Sequence, residues 1–153
     1  MTDKITIKSE SLDQPEILAL LAASDAHSAA LYPPGSRQLS TLESLRQPEV
    51  TFLVARHNGK AVGCGAIAPT ANYGEIKRMF VDPSMRGKGV GRMLLEAIEA
   101  IALKQGLKLL RLETGVKQPE ASSLYRAEGF HFIGPFGTYQ ATPMSVFMEK
   151  RLK

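Results

Sequence analysis

Tryptophan is absent from this 153-residue chain, cysteine occurs once and histidine three times. The single thiol, Cys64, closes no internal disulfide, and with His27, His57 and His131 scattered along the chain no zinc cluster can be assembled around it. No metal is expected, and Cys64 reads as a small apolar residue buried in a strand. Long apolar runs are missing too. No stretch approaches the ~18 residues of a membrane-spanning helix, and Met1-Thr2-Asp3-Lys4-Ile5 has no apolar signal core. A membrane partner is therefore not expected, and a cytoplasmic location is. The third absence is a basic block. The net charge of +4 comes from Lys and Arg spread along the chain, without interleaved stacking aromatics, so no nucleic-acid partner is expected.

What is present is ordinary for a soluble globular chain: 44% hydrophobic and 22% charged residues, with no internal repeat, low-complexity tract or linker. The length suits a single domain over residues 1–153 with a core that needs no covalent staple.

The most informative stretch is Glu75 to Val81, then Asp82-Pro83-Ser84-Met85, then Arg86-Gly87-Lys88-Gly89-Val90-Gly91 and a long apolar-striped segment. It reads as strand, turn, glycine-rich loop and helix. Val90, Met93, Leu94, Ala97, Ile98, Ile101 and Ala102 recur at the spacing of one buried helix face, and Gly106 supplies the stop. Glycines 87, 89 and 91 permit positive φ, so successive backbone N–H groups can converge on an oxyanion, helped by the free N–H groups and dipole of the helix start. Neither a nucleotide P-loop nor a dinucleotide fingerprint is present, because Gly87-Lys88-Gly89-Val90-Gly91 is too compact for either.

Around this stretch the chain alternates. Lys4 to Ser9 is a short strand. Asp13 and Pro15 mark the cap and first turn of a helix through Ile17, Leu18, Leu20 and Leu21 that frays over Asp25 to Leu31 and breaks at Tyr32-Pro33-Pro34-Gly35. Ser40 with Glu43 matches a capping box for a second short helix ending near Pro48. Val50 to His57 and Lys60 to Ala68 form a hairpin around Asn58-Gly59. After the central strand and its helix, Leu107 to Thr114 is a strand with Leu107, Leu109, Leu110 and Leu112 largely buried, parallel to the central one. Gln118-Pro119 opens a helix carrying Ala121, Leu124 and Tyr125 that Gly129 ends. Phe130 to Ile133 and Met144 to Lys150 are the last strands, with an exposed loop, Gly134 to Tyr139, between them.

Arg86-x-x-Gly89-x-Gly91, after a strand and opening a helix, resembles the pyrophosphate-binding motif of the GNAT superfamily of N-acetyltransferases, which bind acetyl-coenzyme A. Two further stretches carry the resemblance. Ala121-Ser122-Ser123-Leu124-Tyr125-Arg126-Ala127-Glu128-Gly129-Phe130 is similar to the superfamily's A-x-x-L-Y-x-x-x-G-F segment. Glu75 stands eleven residues before Arg86, the offset of the glutamate that serves as general base in the histone-acetylating branch. The resemblance covers nearly the whole chain and implies a mixed α/β GNAT fold in the order β-α-α-β-β-β-α-β-α-β-β. Several stretches, the Tyr-Pro-Pro loop among them, are similar to small bacterial members, which implies a small-molecule acceptor. A homodimer through the last strands would be in keeping with the family.

The resemblance implies roles residue by residue. Arg86, Gly87, Lys88, Gly89, Val90 and Gly91 hold the pyrophosphate of acetyl-CoA chiefly through backbone N–H groups, and Arg92 adds a charge. Backbone groups of Met79, Phe80 and Val81 pair with pantetheine. Gln118 stands where the family often has the asparagine of the pantetheine contact. Glu75 is the candidate base, directly or through water, or else a strand-end carboxylate paired with Lys77 or an arginine. Tyr125 is the candidate acid for the departing thiolate, or else a core residue on a short helix. Tyr32, Arg37, Lys77, Arg78, Glu113, Thr114 and Tyr139 are the candidate acceptor contacts. Their positive charges suit an amine bearing a carboxylate, whereas Glu75 and Glu113 suit a polyamine. Direct acetylation of a primary amine is the expected reaction, and an acyl-CoA-binding module without catalysis is the alternative.

Overall fold

The computed structural model describes residues 4–37 and 39–153. In chain order the elements are strand β1 (Ile5–Ser9), helices α1 (Pro15–Leu31) and α2 (Leu42–Leu45), strands β2 (Thr51–His57), β3 (Lys60–Pro69) and β4 (Gly74–Val81), helix α3 (Val90–Lys104), strand β5 (Leu109–Gly115), helix α4 (Pro119–Ala127), and strands β6 (His131–Ile133) and β7 (Ser145–Arg151). A single 3₁₀ turn, Pro83–Met85, joins β4 to the glycine loop. The strands form one seven-stranded sheet in the order β1-β2-β3-β4-β5-β7-β6. Only β4 and β5 run parallel, as the intervening helix α3 requires of a crossover.

The sheet is buried on both faces, and strand alternation sorts the side chains between two cores. Leu53 and Ala55 of β2 face α3, whose Val90, Leu94, Leu95, Ile98 and Ala102 meet Ile76, Leu110, Leu112 and Met148. Phe52 and Val54 face the other way, with Cys64 and Ala66, onto Ile17, Leu20 and Leu21 of α1 and Leu45 of α2. The β2–β3 connection is the two-residue turn foreseen at Asn58-Gly59, both residues at positive φ (50° and 88°), the geometry whose twist matches the flanking strands.

Five local expectations are corrected. Gln14, not Asp13, caps α1, because the Asp13 carboxylate is drawn instead to Arg46 at 2.7 Å. Helix α1 does not fray but continues to Leu31, its second half held against the sheet by a hydrogen bond from Arg78 to Asp25. Thr41, not Ser40, caps α2: its hydroxyl accepts from Ser44 N, while the Ser40 carbonyl accepts from Arg78. Leu107 and Leu109 are half-buried, and only Leu110 and Leu112 are fully enclosed. The loop between β6 and β7 is not wholly exposed, since Phe136 is buried edge-on against Tyr73, Tyr139 and Phe147.

The feature that builds the site is a break in β4. Arg78 adopts φ 55°, and the β3–β4 register shifts opposite Gly65 between the pairs Cys64–Phe80 and Ala66–Lys77. A non-glycine residue in this region costs roughly 1–3 kcal/mol unless its surroundings hold it there. Here they do: the Arg78 guanidinium donates to the carbonyls of Ser40 (2.8 Å) and Leu21 (3.3 Å) and to Asp25 (2.7 Å), and the Cys64 thiol donates to the Arg78 carbonyl at 3.3 Å. Beyond the bulge β4 stays with β3 but parts from β5, whose pairing with it covers only Gly74 to Ile76. A V-shaped opening results, with α3 and α4 on its flanks.

Candidate active site

Two cavities fill that opening. The larger, about 480 Å³, runs from Met79, Phe80 and Val81 on β4 past Arg86, Gly87 and Gly89 to Val90, Gly91 and Arg92 at the start of α3, with Leu124 and Tyr125 of α4 opposite. The smaller, about 100 Å³, lies between α1, the ends of β4 and β5 and the β6–β7 loop. They share His27, Met79, Phe80, Gln118, Ala121 and Tyr125, so they meet at the Tyr125 side chain.

The larger groove fits an acyl-CoA. Gly87 and Gly89 hold φ of +78° and +83° with open space where a Cβ would stand, so it is the left-handed backbone, not crowding, that demands glycine. Gly89 caps the fifteen-residue helix α3, whose N-terminal N–H groups and dipole face the groove, a ready anion site. Gly91 departs from the expectation that all three glycines serve by positive φ. It is helical, and its missing side chain makes room for Leu124, whose Cδ2 would stand 2.9 Å from a Cβ. Of the expected cationic helpers, Arg86 and Arg92 line the groove, Arg92 exposed and 3.6 Å from Glu128, whereas Lys88 is exposed outside its walls. Met79 and Phe80 line both cavities.

Tyr125 is 5% exposed, and among the described residues none accepts a hydrogen bond from its hydroxyl. Burial, with the Glu113 charge adding to it, pushes its pKa well above the ordinary 10.0, so the phenol stays protonated. In the smaller cavity Arg37 and Glu113 form a bidentate pair at 2.9 Å with side chains only 9% and 5% exposed. Ser145 donates to the same carboxylate at 2.6 Å. The guanidinium lies 4.7 Å above the Tyr32 ring, and the Tyr32 hydroxyl donates to Gln118 Oε1 (3.1 Å) and accepts from Lys117 N (3.0 Å). Thus Tyr32 braces the site from behind and Gln118 is held at the start of α4, while Arg37, Lys77, Arg78, Glu113, Thr114 and Tyr139 line the cavity.

Glu75 is placed differently from the others. Its carboxylate is nearly buried, is not in the cavity wall, and accepts a 2.5 Å hydrogen bond from Tyr139, which is in the wall. Lys77 Nζ is 3.8 Å from the other carboxylate oxygen, the ion pair expected as the alternative, though longer than a hydrogen bond. The wall also includes residues that sequence reasoning missed: Ser24, Asp25, His27 and Ser28 of α1, and Leu39 and Ser40. Ser24, His27 and Ser28 recur at i, i+3 and i+4 in an alanine-rich helix, a polar stripe that the reading of a frayed end passed over.

The model of the Acetyltransferase (GNAT) family matches residues 17–130. The chain is 49% identical over 150 residues to an IAA acetyltransferase of Azospirillum brasilense, covering 97% of this chain and 98% of that one. A crystal structure from Klebsiella pneumoniae subsp. pneumoniae superposes with a TM-score of 0.85 at 39% identity, over 97% and 98% of the two chains. The PaiA N-acetyltransferase of Thermoplasma acidophilum, solved in complex with coenzyme A, has the same fold, with a TM-score of 0.78 at 23% identity over 97% and 99%.

Proposed function

The chain belongs to the GNAT acetyltransferase family and is an acetyl-CoA-dependent N-acetyltransferase, and from that premise we propose that its acceptor is a small-molecule primary amine bearing an acidic group, acetylated directly in the smaller cavity. The observation that carries this reading is the state of the charges there. Each carboxylate is already engaged: Glu113 by Arg37 and Ser145, Asp25 by Arg78, Glu75 by Tyr139. None is left over for the second ammonium of a polyamine. Among the cations Arg37 and Arg78 are held by carboxylates at 2.9 and 2.7 Å, whereas Lys77, which lines the cavity, has only a loose 3.8 Å ion pair with Glu75 that an acceptor's acidic group can share. Its ammonium suits a carboxylate or phosphonate on the acceptor. A volume of about 100 Å³ suits a small molecule.

Acetyl-CoA would supply the acetyl group as a thioester, whose C–S bond breaks as the N–C bond forms, leaving coenzyme A as the thiolate. The pyrophosphate would be held by backbone N–H groups from Gly87 to Gly91, with Arg86 and Arg92 adding charge. The edge of β4 from Met79 to Val81, free of β5, would pair with the pantetheine arm. Tyr125, at the junction of the two cavities and protonated, is the acid that gives its Oη proton to sulfur. Glu75 is the terminal base.

Thiol release from acetyl-CoA over a panel of amines tests the acceptor class. Amino acids and aminophosphonates are expected to give a higher kcat/KM than polyamines, peptides and simple alkylamines. Lys77→Gln should raise KM for acid-bearing amines about tenfold, the loss of one charge-assisted contact, and leave alkylamines unchanged. A polyamine or a peptide as the best acceptor would overturn the reading. IAA, after which the Azospirillum brasilense relative is named, belongs in the same panel.

A further inference from the structure

We propose that Tyr139 is a catalytic residue: it carries the acceptor's proton to Glu75, which reaches the reacting amine only through the Tyr139 hydroxyl. The inference rests on the reading of the smaller cavity as the acceptor site. Tyr139 lines that cavity together with Tyr125 and Met79, whereas Glu75 does not. The Tyr139 Oη–H bond is aimed out of the cavity at Glu75 Oε2, 2.5 Å away. A carboxylate in that position has no direct path to an amine in the cavity, but the phenol has one face on each.

The surroundings hold the pair in register. The Tyr139 ring packs edge-on against Phe136 and Phe147, which are themselves in contact, so the loop fixes the phenol without using its hydroxyl. The charged and titratable groups facing the pair are Lys77 on β4, Glu113 on β5, Arg37 from the loop before α2, and Tyr73. Burial first, and then the hydrogen bond and charge of Glu75, push the Tyr139 phenol well above its ordinary range. A free tyrosinate is therefore disfavoured, and the two protons move together. As the amine nitrogen forms its bond to the acetyl carbon, its N–H bond breaks and that proton passes to Tyr139 Oη. The Tyr139 proton passes at the same time to Glu75 Oε2. Glu75 ends protonated, Tyr139 ends neutral, and the reverse transfer returns the proton to solvent once the product has left.

Tyr139→Phe, Glu75→Gln and the double variant decide the matter, assayed by thiol release with the fastest amine of the panel. Tyr139→Phe keeps the ring packing and Glu75→Gln keeps an acceptor for the phenol, so thermal unfolding should stay near wild type. Each single variant should lower kcat about 100-fold with KM within twofold, in the range for loss of a general base. The double variant should be no slower than either single one, because one path is broken once. The solvent deuterium isotope effect on kcat, which two protons moving together enlarge, should fall in both single variants, a change that loss of packing alone would not cause. Wild-type kcat with an undiminished solvent isotope effect in Tyr139→Phe would overturn the relay alone. So would multiplicative losses in the double variant. A wild type that binds acetyl-CoA yet acetylates no amine would overturn the acceptor reading and the relay with it.

Discussion

A phenol that serves as an acid must keep its proton until the leaving group calls for it, and Tyr125 is placed to do so. Nearly enclosed between Phe130 and the cavity junction, it pairs with no acceptor among the described residues. Tyr125→Phe should lower kcat by about 100-fold or more while leaving the calorimetric affinity for acetyl-CoA unchanged, since the ring and its packing survive. The other buried nucleophilic group has the opposite fate. Cys64 is fully buried, its thiol donates to the Arg78 carbonyl, and burial pushes its pKa from the ordinary 9.0 up to about 12. A thiol without thiolate character is inert, so an aromatic disulfide reagent should titrate no cysteine in the native protein at pH 8 and one after unfolding.

At the level of elements, one buried ion pair ties four segments together. Arg37 from the loop before α2 grips Glu113 of β5, Ser145 of β7 holds the same carboxylate, and Tyr32 under the guanidinium reaches Gln118 at the start of α4. Glu113→Leu alone should cost about 3–5 kcal/mol in urea unfolding, because it leaves an unpaired buried guanidinium, and the double variant Arg37→Met with Glu113→Leu should recover most of that loss. Gly115→Ala attacks the same clamp by bulk: a Cβ there would stand 1.9 Å from the Tyr32 hydroxyl, so Tyr32 must leave Gln118. These elements also separate what the sequence makes legible from what it hides. The Asn58-Gly59 turn and the Gly87 and Gly89 loop are written in local backbone demands that only a few residue types meet. The bulge at Arg78 is not, because its positive φ runs against residue preference and is held by Ser40, Leu21 and Asp25, partners 38 to 57 residues away. Arg37 and Glu113 were each legible as acceptor-side candidates, but their pairing, 76 residues apart, and the burial of Glu75 behind Tyr139 exist only in the folded chain.

The whole molecule should be squeezed by pH from both sides, and unequally. On the acid side, hydrogen bonds to Arg56 and Arg46 hold Glu10 and Asp13 below the usual carboxylate range, and Ser84 does the same for Asp82. A depressed folded pKa means that these groups stabilise the fold above the unfolded value near 4 and lose that contribution as pH falls through the folded one. Asp13 is exposed and Glu10 and Asp82 are only partly buried, so solvent screens these contacts and the loss should be shallow. The alkaline side is steeper. Cys64, Tyr125 and Tyr139 have folded pKa values raised by burial, so their contribution is complete below about pH 9 to 10 and is lost as pH climbs toward the folded values. Between those limits the unfolded chain has released protons that the native state retains. Each of the enclosed groups Cys64 and Tyr125 then removes at most about 1.4 kcal/mol per pH unit. Urea unfolding at pH 8, 10 and 11 should show the midpoint falling sharply above pH 10, with tyrosine ionisation, followed by ultraviolet absorbance, rising in step with unfolding. Tyr125→Phe should flatten that fall, because one of the retained protons has been removed. An unchanged midpoint up to pH 11 would mean that these hydroxyls and the thiol ionise in the native state, which the enclosure of Tyr125 and Cys64 in the two cores forbids.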